Sequence, residues 1–176
     1  MIRKLLLVPL ILFFPLILNG QVADSGHKAV LDFRPAIGMM GVFGGKHQYL
    51  IVDLQITSSQ KFWILKPVGG IIADAYGDIY LYAGINIPFN LAKFLELGVC
   101  FTPGFYYKGQ GADLGFPVEF RSSVNLSYVF PGKSAIGIEF SHISNAGLGY
   151  QNPGIETLTL YYRFTTIYSP KGGKNP

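Results

Sequence analysis

Residues 118–130 read VEFRSSVNLSYVF, and this stretch decides the fold class. Apolar side chains occupy every second position from Val118 to Phe130, with Ser122 as the interruption. The positions between them are polar: Glu119, Arg121, Ser123, Asn125 and Ser127. Because successive side chains of a β-strand point to opposite faces, the alternation predicts a strand between an apolar surface and a polar one.

The same alternation recurs along the chain and predicts eight strands. They are placed at 28–38, 48–57, 61–72, 78–87, 94–107, 116–130, 135–144 and 155–168. Strands of roughly ten residues suit tilted crossings of a bilayer, whereas a soluble sandwich is the alternative for such segments. Charged residues on the polar faces suit a small lumen filled with ion pairs: Glu96, Glu119, Arg121, Glu139 and Arg163. We therefore predict an all-β fold, an eight-stranded antiparallel transmembrane barrel.

The composition agrees with a surface that faces lipid. Only 14% of the 176 residues are charged and 49% are hydrophobic, against about 25% charged residues in ordinary soluble domains. The small basic excess does not indicate a nucleic-acid partner. Cys100 is the single cysteine, so the chain has no intrachain disulfide and no thiolate metal cluster.

The first twenty residues have the pattern of a secretory signal peptide. Arg3 and Lys4 precede the apolar run 5–18, which is too short and too interrupted by prolines for a spanning helix. Small and polar residues follow, and we expect cleavage near Gly20.

The remaining chain, 21–176, is predicted to be one barrel domain that ends in a short polar tail at 169–176. With the N-terminus in the periplasm, an even number of strands puts the connections after strands one, three, five and seven outside the cell. The segment 145–154 is then an outer loop. The aromatic run 105–107 is expected in the girdle at the outer interface.

Two neighbouring apolar stripes are interrupted by polar residues near their outer ends. On strand seven the two-residue step continues from Phe140 to His142 and Ser144, and on strand eight the stripe that contains Leu158 reaches Glu156. Pairing Phe140 with Leu158 places His142 opposite Glu156, with Cβ atoms roughly 4.5–5.5 Å apart. Polar side chains that face lipid are costly, so these three are candidates for function.

The three residue types can form an ester-cleaving site. His142 can remove the hydroxyl proton of Ser144 and later protonate the leaving alcohol. Glu156 can fix the imidazole tautomer. The alternative interpretation is that all three are ordinary girdle or loop residues.

Acyl transfer also requires donors for the developing oxyanion. The loop 145–154 offers the side chains of Asn145 and Asn152 and backbone N–H groups, including that of Gly154.

The sequence around these residues resembles the signature of the outer-membrane lipid A 3-O-deacylases, a PagL-like family often labelled acyloxyacyl hydrolases. The matching segments are HISNA at 142–146, NPG at 152–154, Glu156 and YRF at 162–164. The stretch DLGFPVEFR at 113–121 also resembles the strand before that signature. The resemblance is specific over about 113–164 and weaker upstream.

This resemblance implies that His142, Ser144 and Glu156 are the catalytic triad and that Asn152 contributes to the oxyanion hole. It further implies hydrolysis of the 3-hydroxyacyl ester at the 3-position of lipid A, without a metal or organic cofactor. The expected location is the outer membrane of a Gram-negative bacterium. Homodimers are known in the family, but no residue of this chain predicts one.

Two other functions compete with hydrolysis. A non-catalytic barrel with a structural or adhesive role needs no polar triad that faces lipid. An acyltransferase would pass the chain to another acceptor, and free fatty acid among the products distinguishes hydrolysis from transfer.

Overall fold

The computed structural model describes residues 29–43, 48–58 and 62–168. In these ranges the chain forms eight antiparallel strands, which close into a barrel because β8 pairs with β1. The strands are β1 (Ala29–Met40), β2 (Tyr49–Ser58), β3 (Lys66–Asp74), β4 (Ile79–Ala92), β5 (Leu95–Tyr107), β6 (Val118–Val129), β7 (Ala135–Ser144) and β8 (Ile155–Tyr168). The predicted fold class is confirmed. The predicted signal peptide and polar tail lie outside the described residues.

Two predicted strand boundaries are wrong by more than two residues. β3 begins at Lys66 rather than at 61, because Phe62 and Leu65 exchange backbone hydrogen bonds across a tight turn with Trp63 at φ 61°. β4 continues past Pro88 to Ala92, because its pairing with β5 persists until a register shift near Ala92. Within the described ranges, no helix is long and apolar enough to cross a bilayer.

The two faces of the strands separate as predicted. On β2, Leu50 and Leu54 are exposed on the outside, while Asp53 and Gln55 are buried inside. The predicted girdle residue Tyr106 is an exception, because its ring points inward and its hydroxyl donates to Asp78 over 2.7 Å.

Buried charges fill the barrel interior. Glu139 accepts hydrogen bonds from both Arg34 and Arg121, and Arg121 also lies 3.3 Å from a carboxylate oxygen of Asp53. The ring of Tyr82 packs against the Arg121 guanidinium at 5.0 Å. Because these side chains are almost completely buried, the interior is a packed core of ion pairs. A substrate site must therefore lie on the outside or on the loops.

The connections after β1, β3, β5 and β7 lie at one end of the barrel, called the outer end here. Asp78 organises this end, because its carboxylate accepts the backbone N–H groups of Gly109, Gly111 and Ala112 at 2.7–3.1 Å. The β5–β6 loop (108–117) is thereby tied to β4. This arrangement gives the neighbouring β7–β8 loop (145–154) a fixed wall.

Candidate active site

The site begins with the pairing of β7 and β8. Phe140 lies opposite Leu158 and His142 lies opposite Glu156, so the predicted register is confirmed. All four side chains are on the outer surface, where apolar residues continue toward the other end of the barrel. His142 and Glu156 therefore interrupt two lipid-facing stripes at the same height.

The two polar side chains form a hydrogen bond. His142 Nδ1 lies 3.1 Å from Glu156 Oε1, and the side chains are 47% and 28% exposed. A carboxylate on Nδ1 favours the tautomer in which Nδ1 carries the proton, so that Nε2 can accept one. The arrangement orients the imidazole as a general base.

Gly154 gives the imidazole its space. A Cβ atom on Gly154 would lie 2.7 Å from His142 Cε1 and 3.1 Å from Nε2. Gly154 also has a φ of 62°, which L side chains rarely adopt. The pairing of β7 with β8 ends at Ile143 and Ile155. Continuing this antiparallel register by one residue places Gly154 opposite Ser144. The Nε2 edge of the ring is thus turned toward the end of β7 that carries Ser144.

Ser144 is the last residue of β7 and pairs with Phe120 of β6. It lies on the same outward face as His142 and is partly exposed. Its hydroxyl makes no hydrogen bond to any other residue that the structure describes. Ser144 and His142 are thus on one face without a hydrogen bond between them, and the hydroxyl is free to turn toward Nε2 or toward a substrate.

Asn145 follows Ser144 and points inward. Its Nδ2 donates to the carbonyls of Leu114 and Gln151 at 2.7 and 2.8 Å, and its Oδ1 accepts the Gly147 N–H at 3.0 Å. The side chain is completely buried. The sequence predicted Asn145 as a direct oxyanion donor, but this geometry makes it the residue that holds the β7–β8 loop in place.

Asn152 is the amide that remains exposed. Its Oδ1 accepts the backbone N–H of Asn145 at 3.0 Å. Because the oxygen is held, the orientation of Nδ2 is set, and no other described residue accepts a hydrogen bond from it. Asn152 can therefore donate to an oxyanion near Ser144. The backbone donor role of Gly154 stays a prediction.

Two neighbours of the site were not identified from the sequence. Ser122 lies opposite His142 on β6 and is exposed, so the polar row spans three strands. The interruption of the β6 stripe at Ser122 was the available signal. Phe43, from the β1–β2 connection, packs against Phe140 with ring centroids 5.5 Å apart and extends the apolar surface beside the site.

The sequence is similar to a known protein family and to one of its curated members. Residues 40–165 match the family model described as lipid A 3-O-deacylase (PagL). Lipid A deacylase PagL of Pseudomonas aeruginosa is 28% identical over 85 residues, which are 48% of this chain and 47% of that protein. The chain thus spans about half the length of the curated relative that it matches.

Solved structures show the same fold. The crystal structure of the outer membrane enzyme PagL has a TM-score of 0.60 and 18% identity, covering 76% of this chain and 98% of that chain. A structure from the de novo design of transmembrane β-barrels has a TM-score of 0.57 and 12% identity, covering 81% and 98%. Since a designed barrel matches about as well, these likenesses concern the architecture alone.

Proposed function

Because this chain belongs to the PagL family of lipid A 3-O-deacylases, we propose that it is an outer-membrane esterase that removes the 3-hydroxyacyl chain from the 3-position of lipid A. The observation that carries the proposal is the hydrogen bond between His142 and Glu156 on the lipid-facing surface. A structural barrel has no use for an oriented imidazole in that position.

The reaction follows from the roles of the three side chains. The Ser144 oxygen attacks the ester carbonyl while His142 Nε2 takes the hydroxyl proton. The tetrahedral oxyanion accepts a hydrogen bond from Nδ2 of Asn152. His142 then protonates the departing 3-hydroxyl oxygen of the sugar, which leaves an acyl ester on Ser144.

The second half of the reaction uses the same groups. Water attacks the acyl ester on Ser144, and His142 accepts a proton from that water. Collapse of the second tetrahedral intermediate breaks the bond to Ser144, and His142 returns the proton to the serine oxygen. The products are a 3-hydroxy fatty acid and lipid A with a free 3-hydroxyl group.

The position of the site suits a substrate that stays in the membrane. The exposed stripes of β7 and β8, with Ile138, Phe140, Leu158 and Leu160, provide an apolar track below the triad. An acyl chain that lies along this track brings its ester to the height of His142. The substrate therefore reaches the site by lateral diffusion.

Hydrolysis is favoured over acyl transfer by the exposure of the triad. His142 is about half exposed at the outer end of the barrel, so water has access to an acyl ester on Ser144.

Substitution of the nucleophile tests the proposal. Folded wild-type protein and the Ser144→Ala variant are incubated with purified lipid A, and both products are analysed by mass spectrometry. We expect the variant to fold and to lose at least about a thousandfold in rate, since removal of a triad member costs on this order. Ser122→Ala is the matched control, because this serine is also exposed beside His142. Equal activity in Ser144→Ala and the wild type would refute the assignment.

A further inference from the structure

A cavity of about 350 Å³ lies at the outer end of the barrel, between the β5–β6 and β7–β8 loops. Its lining includes two charged side chains, Lys108 and Asp113, and four aromatic residues, namely Tyr106, Tyr107, Phe116 and Tyr150. Tyr107 and Tyr150 are 67% and 78% exposed. The cavity is thus an aromatic surface with polar groups at its wall, at the outer end of the barrel.

The polar groups of the cavity are held in place. Lys108 Nζ lies 2.8 Å from Asp113 Oδ2, and Asp113 Oδ1 accepts the Gly115 N–H at 2.9 Å. The hydrogen bond from Lys108, with a second from the Tyr150 hydroxyl, lowers the pKa of Asp113 to about 2. The carboxylate is therefore charged at neutral pH and Lys108 is already compensated. A neutral polyol suits this pair better than a free anion does.

The cavity and the active site share their supports. Asn145, which fixes Asn152, also donates to the carbonyl of Leu114 in the cavity wall. A Cβ atom on Gly149 would lie 2.5 Å from the carbonyl oxygen of Gly115, so the two loops are in direct contact. The cavity therefore has a fixed position relative to Ser144.

The separation of the two sites follows from the strand. Phe120 pairs with Ser144, and Phe116 in the cavity wall precedes it by four residues. Residues 116 and 117 form a bend beyond the outer end of β6, which begins at Val118. Since four residues span at most about 14 Å, Phe116 lies within that distance of Phe120, on the outer side of the Ser144 row. A sugar that carries the cleaved ester would lie at Ser144, and a second, linked sugar can extend toward the cavity.

We propose that this cavity binds the distal sugar of a disaccharide glycolipid whose 3-O-acyl ester lies at Ser144. The inference rests on the proposed function for the identity of the lipid. The rings of Tyr107 and Tyr150 offer faces on which a pyranose stacks. The Asp113 carboxylate accepts hydrogen bonds from sugar hydroxyls, and the Lys108 ammonium donates to them.

The first test measures binding without catalysis. Detergent-folded full-length protein is mixed with the acyl-free diglucosamine backbone of lipid A, and saturation transfer from aromatic protons to sugar protons is recorded by NMR. We expect transfer with the wild type and its loss in Tyr150→Ala. Tyr76→Ala is the control, because Tyr76 is an exposed aromatic of the outer end that does not line the cavity.

The second test compares two substrates, the disaccharide lipid and a monosaccharide fragment with the same 3-O-acyl ester. Tyr150→Ala should raise KM for the disaccharide about tenfold, the loss expected for one aromatic contact, and leave KM for the monosaccharide and both kcat values nearly unchanged. If Tyr150 were only a membrane anchor, Tyr150→Ala would change KM equally for both substrates, and Tyr76→Ala would have the same effect. That result, or equal saturation transfer in wild type and Tyr150→Ala, overturns the subsite. Sugar binding without release of fatty acid by the wild type would instead overturn the proposed function alone.

Discussion

Substitution of Gly154 by alanine should disable the imidazole without disturbing the barrel. The new Cβ would lie 2.7 Å from His142 Cε1, whereas carbon atoms normally approach to about 3.5 Å. The ring must therefore move by about 0.8 Å from the position in which it is hydrogen bonded to Glu156. A displacement of about 1 Å at a catalytic group can cost roughly a hundredfold in rate. We expect kcat to fall by about that factor.

A second glycine of the same loop provides the matched control. Gly147 has a φ of 81°, and a Cβ atom there would meet nothing within 4 Å. Both alanine variants therefore carry the cost of a left-handed non-glycine residue, about 1–2 kcal/mol, but only Gly154→Ala creates the collision with His142. The comparison separates backbone strain from displacement of the ring.

The assay is the initial rate of 3-hydroxy fatty acid release from lipid A in detergent micelles. Folding is checked by the heat-dependent shift in gel mobility that closed barrels show. Gly147→Ala should keep its rate near that of the wild type, because the strain of about 1–2 kcal/mol lowers the stability of the folded loop and moves no group of the triad. Full activity in Gly154→Ala, or equal losses in the two variants, would refute the role assigned to Gly154.

Two further substitutions test the supports of the site. Glu139→Gln removes the negative charge between two buried arginines and should lower the free energy of unfolding by about 3 kcal/mol, measured by urea titration in detergent. Glu96→Gln should lower it by less, because the ion pair of Glu96 is partly exposed. Equal losses in the two variants would contradict this. Asn145→Ala removes the three side-chain hydrogen bonds that hold the β7–β8 loop. The shifted loop should misplace Asn152 and reduce kcat by about tenfold or more, with gel mobility unchanged. An unaltered kcat would show that Asn145 has no positioning role.

The strand pattern was sufficient to predict the fold and the pairing at the site. Alternation has a strict period of two, so a stripe that must face lipid fixes the face of every residue on its strand. On β7 and β8 the stripes could be aligned at Phe140 and Leu158, which left His142 opposite Glu156. The structure confirms that register.

Features that depend on local backbone conformation were not predictable in this way. The sequence has a glycine at 154, but its φ of 62° and its closeness to the imidazole depend on the backbone conformation of the β7–β8 loop. Asn145 continues the inward side of β7, so alternation itself argued against a direct role at the ester. The prediction that Tyr106 lies in the girdle was wrong for the same reason, since the residues of an aromatic run at a strand end still alternate between lumen and lipid.

The central claim is that Ser144 is the nucleophile of a triad on the lipid-facing surface. Its most direct test is covalent labelling of the folded protein with a long-chain fluorophosphonate, with the modified residue located by tandem mass spectrometry. We predict one adduct, on Ser144, whose formation slows by at least tenfold in Glu156→Ala because the imidazole loses its orienting partner. An adduct on Ser122 in place of Ser144, or labelling of Ser144 at an unchanged rate in Glu156→Ala, would contradict the account.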